Sequence, residues 1–370
     1  MRVTGDLYCR RPAHLLYLSP VLASLVQELV ARRNLTESQI VTAIDQLVDE
    51  GIPTVLKAQF LMELGRKGET ENEIAAFART LRGRAVRPQL DDNLRAREIL
   101  DVVGTGGDRL GTFNISTGAA LVACSAGVTV AKHGNRASTS STGSADVLEA
   151  LGIPCDLGPE EAVASLRQHG FAFFFAPKYH PAFRHITPAR RLCAEQGQST
   201  IFNILGPLLN PACPSAMLVG VPRPDLCASL AGVLQQLGVR RGMTVCGAVQ
   251  DSTRATRYLD ELSPLGANSI AEFYQPRALS TSTLLPESFP VQPATLEDLK
   301  GGDKMHNAAL LRQVFSGKDR GPRRDAVLLN SAAALFVAGA VRTMSDGWDK
   351  AGELIDSGAA TAKLDSLRRT

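Results

Sequence analysis

The chain has 370 residues, of which 44% are hydrophobic and 21% are charged, and its formal net charge is only +3. This length allows two domains with a substantial core. The near-neutral charge, without a dense basic run, argues against a nucleic-acid or membrane surface, and no apolar run approaches the ~18 residues of a membrane span.

The N-terminal segment around residues 10–26 faintly resembles a signal peptide. Arg10 and Arg11 precede an apolar run at residues 15–26, but Pro20 and Ser24 interrupt that run. The run then continues into an amphipathic segment, which a signal peptide lacks. We therefore expect residues 1–18 to be a flexible N-terminal extension outside the fold.

Residues 19–97 are predicted to form a helical domain. Thr36 with Gln39, and Thr70 with Glu73, have the spacing of capping boxes that begin helices. Before them, six apolar residues fall at helical spacing and predict a helix with one apolar face: Val21, Leu22, Leu25, Val26, Leu29 and Val30.

From residue 98 onward, short β-rich runs alternate with helical patterns, which indicates a mostly parallel sheet flanked by helices. The predicted strands are 99–103, 128–131, 171–176, 217–221, 244–249 and 269–274. The predicted helices are 118–126, 144–151, 159–169, 224–237, 307–315, 324–341 and 345–356, the last one capped by Ser345. The fold class is therefore α/β, with a smaller all-helical domain.

Cysteine usage bears on the cellular compartment. The seven cysteines are scattered without a CxxC pair, and their number is odd. This usage is typical of reduced, mostly buried thiols, and it predicts a cytoplasmic protein.

Residues 104–117 form a glycine-rich loop between a predicted strand and a predicted helix. Glycines let backbone N–H groups approach a ligand, and a helix N-terminus favours anions, so the expected ligand is a phosphate or diphosphate. The loop lacks the Gly-Lys-Ser/Thr of a P-loop. Its glycines also break the spacing of the dinucleotide fingerprint, and the downstream acid is missing. An ordinary βα turn is the alternative.

Three further polar clusters follow predicted strands, at the edge where a parallel sheet binds ligands. Residues 132–136 bring Lys132, Asn135 and Arg136, which suit a phosphorylated sugar, although a solvated basic turn would look the same. Residues 176–181 follow a later strand. Asp260 and Glu261 could bind Mg2+ together with substrate oxygens and waters, or they could simply face solvent.

Arg190 and Arg191 leave two interpretations open. They could lie at a helix start or in solvent, or an arginine facing the crevice could bind a substrate carboxylate in bidentate fashion.

Six segments in combination resemble the anthranilate phosphoribosyltransferase family, and the likeness runs from about residue 20 to the C-terminus. The segments are 101–117, 132–146, 180–182, 200–211, 259–264 and 324–335. The pyrimidine nucleoside phosphorylases resemble only the general layout. The resemblance implies a helical domain, completed by helices near 186–212, that is hinged to an α/β domain at residues 98–370. That domain would bind 5-phosphoribosyl-1-diphosphate and Mg2+.

The resemblance also assigns residues to substrates and metal. The phosphoribosyl diphosphate would be held by Gly104, Thr105, Gly107, Asp108, Thr112, Asn114, Ser116, Thr117 and Lys132. Anthranilate would meet Gly104, Asn135 and Arg190, with His133, Pro177, Tyr179, His180 and Gly206 near its approach path. The metal would use Ser116, Asp260 and Glu261. Catalysis would stabilise the leaving diphosphate and an oxocarbenium-like ribose, without a covalent nucleophile.

Three departures from the family pattern concern loops. Serine stands at position 141, where lysine is common. Residues 192–199 look about three residues longer than usual when set against ordinary loop variation, and this insertion lies beside Arg190 in the sequence. The 248–259 segment is also longer, and Tyr258 replaces a glycine that would permit unusual φ angles.

The resemblance implies an enzyme that makes N-(5-phosphoribosyl)anthranilate and diphosphate in tryptophan biosynthesis, and this is the leading hypothesis. The departures leave competing hypotheses beside it. A paralogue could act on another arylamine or on a nucleoside with phosphate. A nucleic-acid-binding member of the fold should show a basic stripe and lose the Asp-Glu pair, whereas this chain keeps Asp260 and Glu261. Exposed apolar faces of the helical domain, and the family, suggest a homodimer.

Overall fold

The computed structural model describes residues 19–137, 142–250, 256–275 and 278–368. The predicted extension at residues 1–18, the serine at position 141 and the middle of the 248–259 loop lie outside these ranges. Across the described ranges, no helix has the length and apolar character needed to cross a membrane.

Helices alternate with strands through most of the chain. The α-helices are α1 (Pro20–Val30), α2 (Glu37–Val48), α3 (Thr54–Lys67), α4 (Glu71–Gly83), α5 (Asp92–Arg95), α6 (Ile115–Ser125), α7 (Ser144–Leu151), α8 (Pro159–His169), α9 (Ala176–Tyr179), α10 (Thr187–Glu195), α11 (Phe202–Leu205), α12 (Leu226–Gln236), α13 (Lys304–Phe315), α14 (Pro322–Val337), α15 (Met344–Asp356) and α16 (Ala359–Leu367). The strands are β1 (Ile99–Gly104), β2 (Thr129–Gly134), β3 (Phe171–Phe175), β4 (Ala216–Gly220), β5 (Arg241–Gln250), β6 (Thr256–Leu259), β7 (Asn268–Gln275) and β8 (Ala278–Leu284). Single 3-10 turns lie at Pro181–His185, Gly206–Leu209, Pro286–Ser288 and Leu296–Leu299.

The described residues divide into two compact units, and the first one, residues 19–69 with 182–200, contains α1, α2, α3 and α10. The capping box of Thr36 and Gln39 is present at the start of α2, as the spacing predicts. In α1, the apolar face is narrower than predicted, because Val21 and Val30 are 43% and 53% exposed. Both valines lie about 90° around the helix from the centre of the buried stripe, at its flanks.

The second unit, residues 70–181 with 201–368, contains the sheet and the remaining helices. The capping box of Thr70 and Glu73 begins α4, as predicted. The expected helical domain included residues 70–97 and 201–212, whereas contacts group these residues with the sheet. For example, α4 packs against α12 so closely that a Cβ on Gly232 would lie 2.9 Å from Glu71 Oε2.

The sheet is mixed, with strand order β3-β2-β1-β4-β5-β7-β8 among the described residues and with β6 paired to β5. Strands β3, β2, β1, β4 and β5 are parallel, which confirms the predicted α/β class. At the far side, β6 and β7 each pair with β5 in antiparallel fashion, and β8 pairs in antiparallel fashion with β7. Two strands were not predicted from the sequence: β6, which is short, and β8, whose Ser/Thr-rich residues are mostly exposed and carry no apolar alternation.

Two of the differences between predicted and observed helix ends have a clear physical cause. Thr343 caps α15 through a capping box with Asp346, so the predicted cap at Ser345 is wrong and Ser345 lies inside the helix. Helix α14 ends at Val337, four residues before the predicted end at Val341. Gly339 has a φ of +71°, a left-handed conformation that stops the helix.

Candidate active site

The glycine-rich loop joins β1 to α6. Gly106, Gly107 and Gly111 have φ angles of +76°, +88° and +68°, so glycine is needed at these turns. Helix α6 begins at Ile115, three residues before the predicted start, and Asn114 is its N-cap residue without a side-chain cap bond. The loop therefore delivers the chain to a helix N-terminus, which is the anion-binding arrangement expected from the sequence.

Asp260 and Glu261 each accept a hydrogen bond from this loop. The Gly106 N–H donates to Asp260 Oδ2 at 2.6 Å, and the Ser116 N–H donates to Glu261 Oε1 at 2.8 Å. One carboxylate thus contacts the start of the loop, and the other contacts the first turn of α6. This geometry rejects the interpretation of the Asp-Glu pair as a purely solvent-facing one.

The acidic pair reaches this edge by a route that the sequence analysis did not predict. It follows β6, which runs back antiparallel along β5 and pairs Leu259 with Gly247. Gly104 and Gly220 are partners in the register of β1 and β4. A Cβ on Gly104 would lie 2.2 Å from Asp260 Oδ2, and one on Gly220 would lie 1.5 Å from the Asp260 carbonyl oxygen. Two glycines therefore make room for Asp260.

The acids at this edge are held in unfavourable electrostatic surroundings. Burial, followed by the charge of Asp108, raises the pKa of Asp260 to about 7. Burial and the charge of Asp260 raise the pKa of Glu261 well above its usual range. No cluster of three His, Cys, Asp or Glu side chains with metal-binding geometry is present among the residues described. The pair therefore needs protons, or a cation held partly by other oxygens, to neutralise it.

Lys132, at the end of β2, is buried rather than part of a solvated turn, with only 2% of its surface exposed. Its Nζ donates to the Val102 carbonyl oxygen. Burial lowers the pKa of Lys132, while the charges of Asp101 and Glu261 raise it. Arg136 fits the alternative of a solvated basic turn, because it pairs with Asp146 and Glu149 at the surface.

Asp101 and Asn210 anchor the neighbouring backbone. Burial raises the pKa of Asp101 to about 6, against the opposing charge of Lys132. Asn210 Nδ2 donates to Asp101 Oδ2 at 2.8 Å and to the Ala131 carbonyl oxygen at 2.7 Å. This network ties the chain after the 3-10 turn at Gly206–Leu209 to β1 and β2.

Two histidines that the resemblance places near the approach path of anthranilate, the acceptor substrate, lie together beside that turn. The rings of His133 and His180 are 5.5 Å apart in an edge-on arrangement. His133 Nδ1 lies 3.2 Å from the Gly206 carbonyl oxygen, and His180 Nε2 lies 2.8 Å from that of Leu209. Because carbonyl oxygens only accept, each of these ring nitrogens carries a proton. His133 Nε2 is then a buried acceptor with no hydrogen-bond partner among the described residues, and burial lowers the pKa of His133 to about 3.

Other predicted donor-side residues lie along the loop. The Thr105 N–H donates to the Gly220 carbonyl oxygen at 2.9 Å, and Asp108 Oδ1 accepts from the Leu110 N–H at 3.0 Å. Thr112 forms an isolated antiparallel bridge with Lys300. The Thr117 hydroxyl is buried, and no residue in the described part of the chain forms a hydrogen bond with it.

The remaining predicted acceptor-side residues are not all gathered with the histidines. Tyr179 is a fully buried core residue whose hydroxyl donates to the Leu157 carbonyl oxygen at 3.1 Å, so its ring fills the core. Pro177 and Asn135 are exposed, and Asn135 Oδ1 accepts from the Arg136 N–H at 2.7 Å. Arg190 lies on α10 of the first unit, where its side chain is exposed.

Sequence reasoning missed several residues that shape this edge: Asp101, Gly220, Asn210, Thr142 and Asn307. One signal was available for Asp101, because a carboxylate inside the apolar strand pattern of residues 99–103 requires a buried partner. The roles of the other four depend on contacts between segments far apart in sequence.

Comparison with known proteins finds two matching domain families and close similarity to enzymes that share one name. Residues 96–361 match the glycosyl transferase family a/b domain, and residues 23–85 match the helical bundle domain of that family. The chain is 43% identical to the anthranilate phosphoribosyltransferase of Symbiobacterium thermophilum over 347 residues, which cover 94% of this chain and 97% of that protein.

Two solved structures extend the similarity to the fold. The crystal structure of anthranilate phosphoribosyltransferase from Thermus thermophilus is 40% identical and superposes with a TM-score of 0.82, covering 93% of this chain and 98% of that one. The enzyme from Saccharomyces cerevisiae in complex with PRPP and Mg is 27% identical, with a TM-score of 0.81 and coverage of 94% and 97%.

Proposed function

The chain belongs to the anthranilate phosphoribosyltransferase family, and on that premise we propose how its residues share the work of the reaction. The enzyme transfers the 5-phosphoribosyl group from 5-phosphoribosyl-1-diphosphate to the amine of anthranilate. The products are N-(5-phosphoribosyl)anthranilate and diphosphate, in tryptophan biosynthesis. The observation that carries the residue assignments is the pair of hydrogen bonds that the glycine-rich loop and the first turn of α6 donate to Asp260 and Glu261.

We assign the donor substrate to the loop and the first turn of α6. The loop supplies backbone N–H groups at glycines without side chains, and the helix N-terminus supplies partial positive charge. The buried ammonium of Lys132 adds a full charge at the same edge. The proposed donor-binding residues are Gly104, Thr105, Gly107, Asp108, Thr112, Asn114, Ser116, Thr117 and Lys132.

The acidic pair fits a divalent cation. Two crowded carboxylates with raised pKa values are what a hard cation would neutralise, and the donor's own oxygens would complete its ligands. The yeast relative was solved with PRPP and Mg. We propose that Ser116, Asp260 and Glu261 hold Mg2+, which when bound would offset the negative charge of the diphosphate.

We assign the acceptor to a second set of residues: Gly104, Asn135, Arg190, His133, Pro177, Tyr179, His180 and Gly206. An arginine such as Arg190 can bind the carboxylate of anthranilate in bidentate fashion. His133 Nε2 is a buried, uncharged acceptor within this set. Tyr179 contributes through the core, because its side chain is fully buried.

The proposed chemistry requires no protein nucleophile. As diphosphate leaves, C1 of the ribose becomes oxocarbenium-like, so the chain stabilises the leaving charge and positions the weakly nucleophilic amine. The buried cysteines agree with this assignment. Burial raises the pKa of Cys124 to about 11 and that of Cys246 to about 12, which disfavours the reactive thiolate.

A direct assay tests the function. The protein is incubated with anthranilate, 5-phosphoribosyl-1-diphosphate and Mg2+, and the loss of anthranilate fluorescence is followed. Parallel reactions replace anthranilate with another arylamine, or supply a nucleoside with phosphate. They test for a paralogous activity, which the departures in the loops suggest as the alternative. Faster turnover with either alternative, or no loss of fluorescence, would overturn the assignment.

We also propose that the protein is a cytoplasmic homodimer. In the first unit, Val21, Val30, Val41 and Val55 are exposed by 43%, 53%, 38% and 71%, which leaves apolar surface for a second copy. Most of the cysteines described are free and buried, as in reducing compartments. Sedimentation equilibrium tests the dimer, and a monomer at micromolar concentration would contradict it.

A further inference from the structure

Four residues next to the glycine-rich loop form a closed ring of hydrogen bonds. Asn307 Nδ2 donates to Asn114 Oδ1 at 2.9 Å, and Asn114 Nδ2 donates to the Thr142 carbonyl oxygen at 3.3 Å. Thr142 Oγ1 donates to the Gly302 carbonyl oxygen at 2.7 Å. The Gly302 N–H donates to Asn307 Oδ1 at 2.7 Å and closes the ring.

The direction of every bond in this ring is fixed by backbone groups. The Gly302 N–H can only donate, so the atom of Asn307 that faces it must be the amide oxygen. The amide nitrogen of Asn307 is then the donor toward Asn114, and Asn114 must accept with its own oxygen. The nitrogen of Asn114 is left to face the Thr142 carbonyl oxygen, which can only accept. Neither asparagine can flip without placing like groups against each other.

Packing holds the ring in place. Asn307 is 2% exposed and lies near the start of α13. The segment before it pairs with the loop, because the Phe113 N–H donates to the Leu299 carbonyl oxygen at 3.0 Å and the Gly301 N–H donates to that of Gly111 at 2.9 Å. A Cβ on Gly301 would lie 2.8 Å from both Phe113 Cα and Asn307 Oδ1, so the segments are in close contact.

We propose that Asn307 is a positioning residue for the donor substrate. Through the ring, it orients the amide of Asn114 so that the hydrogen not used by the ring, rather than the amide oxygen, is available to an anion. This inference rests on the proposed function, in which Asn114 binds the donor. An amide oxygen in that place would repel a phosphate, whereas an N–H would bind it.

Asn307→Asp tests the polarity of the ring with a side chain of the same shape. At pH 8 the carboxylate still accepts from Gly302 but cannot donate, so the amide of Asn114 must turn its nitrogen toward residue 307. A lost hydrogen bond to a charged group predicts a KM for phosphoribosyl diphosphate about tenfold higher or more, with the KM for anthranilate changed less than about twofold. Equal changes in both KM values, or none, would overturn the proposal.

Thr142→Val is the matched control. It removes the hydroxyl bond to Gly302 but leaves the carbonyl oxygen of residue 142 and the whole path from Gly302 through Asn307 to Asn114. We expect the KM for the donor to change less than about threefold, since one neutral hydrogen bond is lost outside that path. A rise as large as that of Asn307→Asp would mean that the ring is a general brace, which contradicts the proposal.

A double-mutant cycle separates positioning from folding. If Asn307 acts through Asn114, then Asn307→Asp should raise the donor KM much less in an Asn114→Ala background than in the wild type. Additive effects would overturn the proposal. A fall in the thermal midpoint of Asn307→Asp large enough to explain the rise in donor KM would overturn it as well. Calorimetric binding of phosphoribosyl diphosphate with Mg2+ compares wild type and Asn307→Asp without turnover, so failure of the proposed reaction would be recognised separately.

Discussion

Gly220 and Asp260 lie so close together that a Cβ on the glycine would be 1.5 Å from the Asp260 carbonyl oxygen. Gly220 ends β4, and Asp260 follows β6, so the contact joins two segments 40 positions apart in the chain. The absence of a side chain at residue 220 is therefore what allows the acidic pair to sit against the parallel edge of the sheet.

Gly220→Ala should displace the acidic pair. Because the contact is with backbone, no rotamer change can relieve it, and we expect kcat to fall by about 100-fold, as for loss of an electrostatic catalytic group. Steady-state kinetics at saturating Mg2+ measure this. The control is Gly352→Ala within α15, where the nearest atom to the added Cβ is 3.8 Å away. It should keep full activity and gain up to about 1 kcal/mol of stability. Wild-type kcat in Gly220→Ala would contradict the close contact.

Asp260→Asn should trade stability against activity. The folded pKa of Asp260, about 7, lies above its ordinary value of 3.8. The folded state therefore loses stability as pH rises from about 4 to 7, and the full loss remains at higher pH. Without metal at pH 8, the variant should be more stable than wild type, while Mg2+-dependent activity falls by about 100-fold.

Urea unfolding in EDTA and a Mg2+ titration of the rate measure these two effects. Glu261→Gln should behave in the same way, since its pKa is raised for the same reason. At pH 3 the stability gain should nearly vanish, because the wild-type carboxyl is then mostly protonated in both the folded and the unfolded state. A gain that persists at pH 3 would show that charge is not the cause.

Arg190→Ala should mainly weaken anthranilate binding. Loss of a bidentate charge-assisted pair predicts a KM for anthranilate about tenfold higher or more, with little change in the KM for the donor. Arg191→Ala is the matched control, because it removes an exposed arginine one position along the same helix. An unchanged anthranilate KM in Arg190→Ala, or equal rises in both variants, would reject the assignment.

His133 should make the protein sensitive to acid. Its pKa is lowered from 6.5 to about 3 by burial, so stability is constant above pH 6.5 and is lost as pH falls below that value. Between pH 7.5 and 5.5 we expect a loss of about 1 kcal/mol from this residue. Urea unfolding of wild type and His133→Gln at both pH values measures it. Equal pH dependence in the two proteins would contradict the burial of this ring. Some slope should remain in the variant, because burial also lowers the pKa of His180.

The start of α15 offers a pair of substitutions that each remove one hydroxyl, at the cap or inside the helix. Thr343→Ala removes the hydroxyl that accepts from the Asp346 N–H at 3.0 Å and should cost about 1 kcal/mol. Ser345→Ala, inside the helix, should leave the thermal midpoint unchanged or raise it, because alanine favours helix. The reverse order of the two midpoints would restore Ser345 as the cap.

Local patterns in the sequence were enough for most elements. The helices at residues 144–151 and 159–169 have the predicted bounds, since turn residues and apolar periodicity agree there. The glycine-rich loop was predicted as an anion site because its glycines and the following helix are contiguous. By contrast, β8 was missed, since its polar residues form a strand only by pairing with β7.

Resemblance supplied the site residues, but it did not show how they are held. The sequence left open whether Lys132 binds a phosphorylated sugar or belongs to a solvated basic turn, and the structure buries its ammonium near the charges of Asp101 and Glu261. Tyr179 looked like a site residue, and the structure places its side chain in the core. Whether a side chain is buried depends on neighbours from other segments, which no local pattern contains.

By itself, the sequence was enough to predict the α/β class, the helices α1 and α2, and a glycine-rich loop at residues 104–117 that leads into a helix N-terminus, because each depends on contiguous residues. Only the tertiary structure decided that β6 returns along β5 to bring Asp260 against Gly104 and Gly220. It also decided the ring that orients Asn114. These relationships arise from steric fit and hydrogen-bond direction between distant segments, and such constraints exist only after the chain has folded.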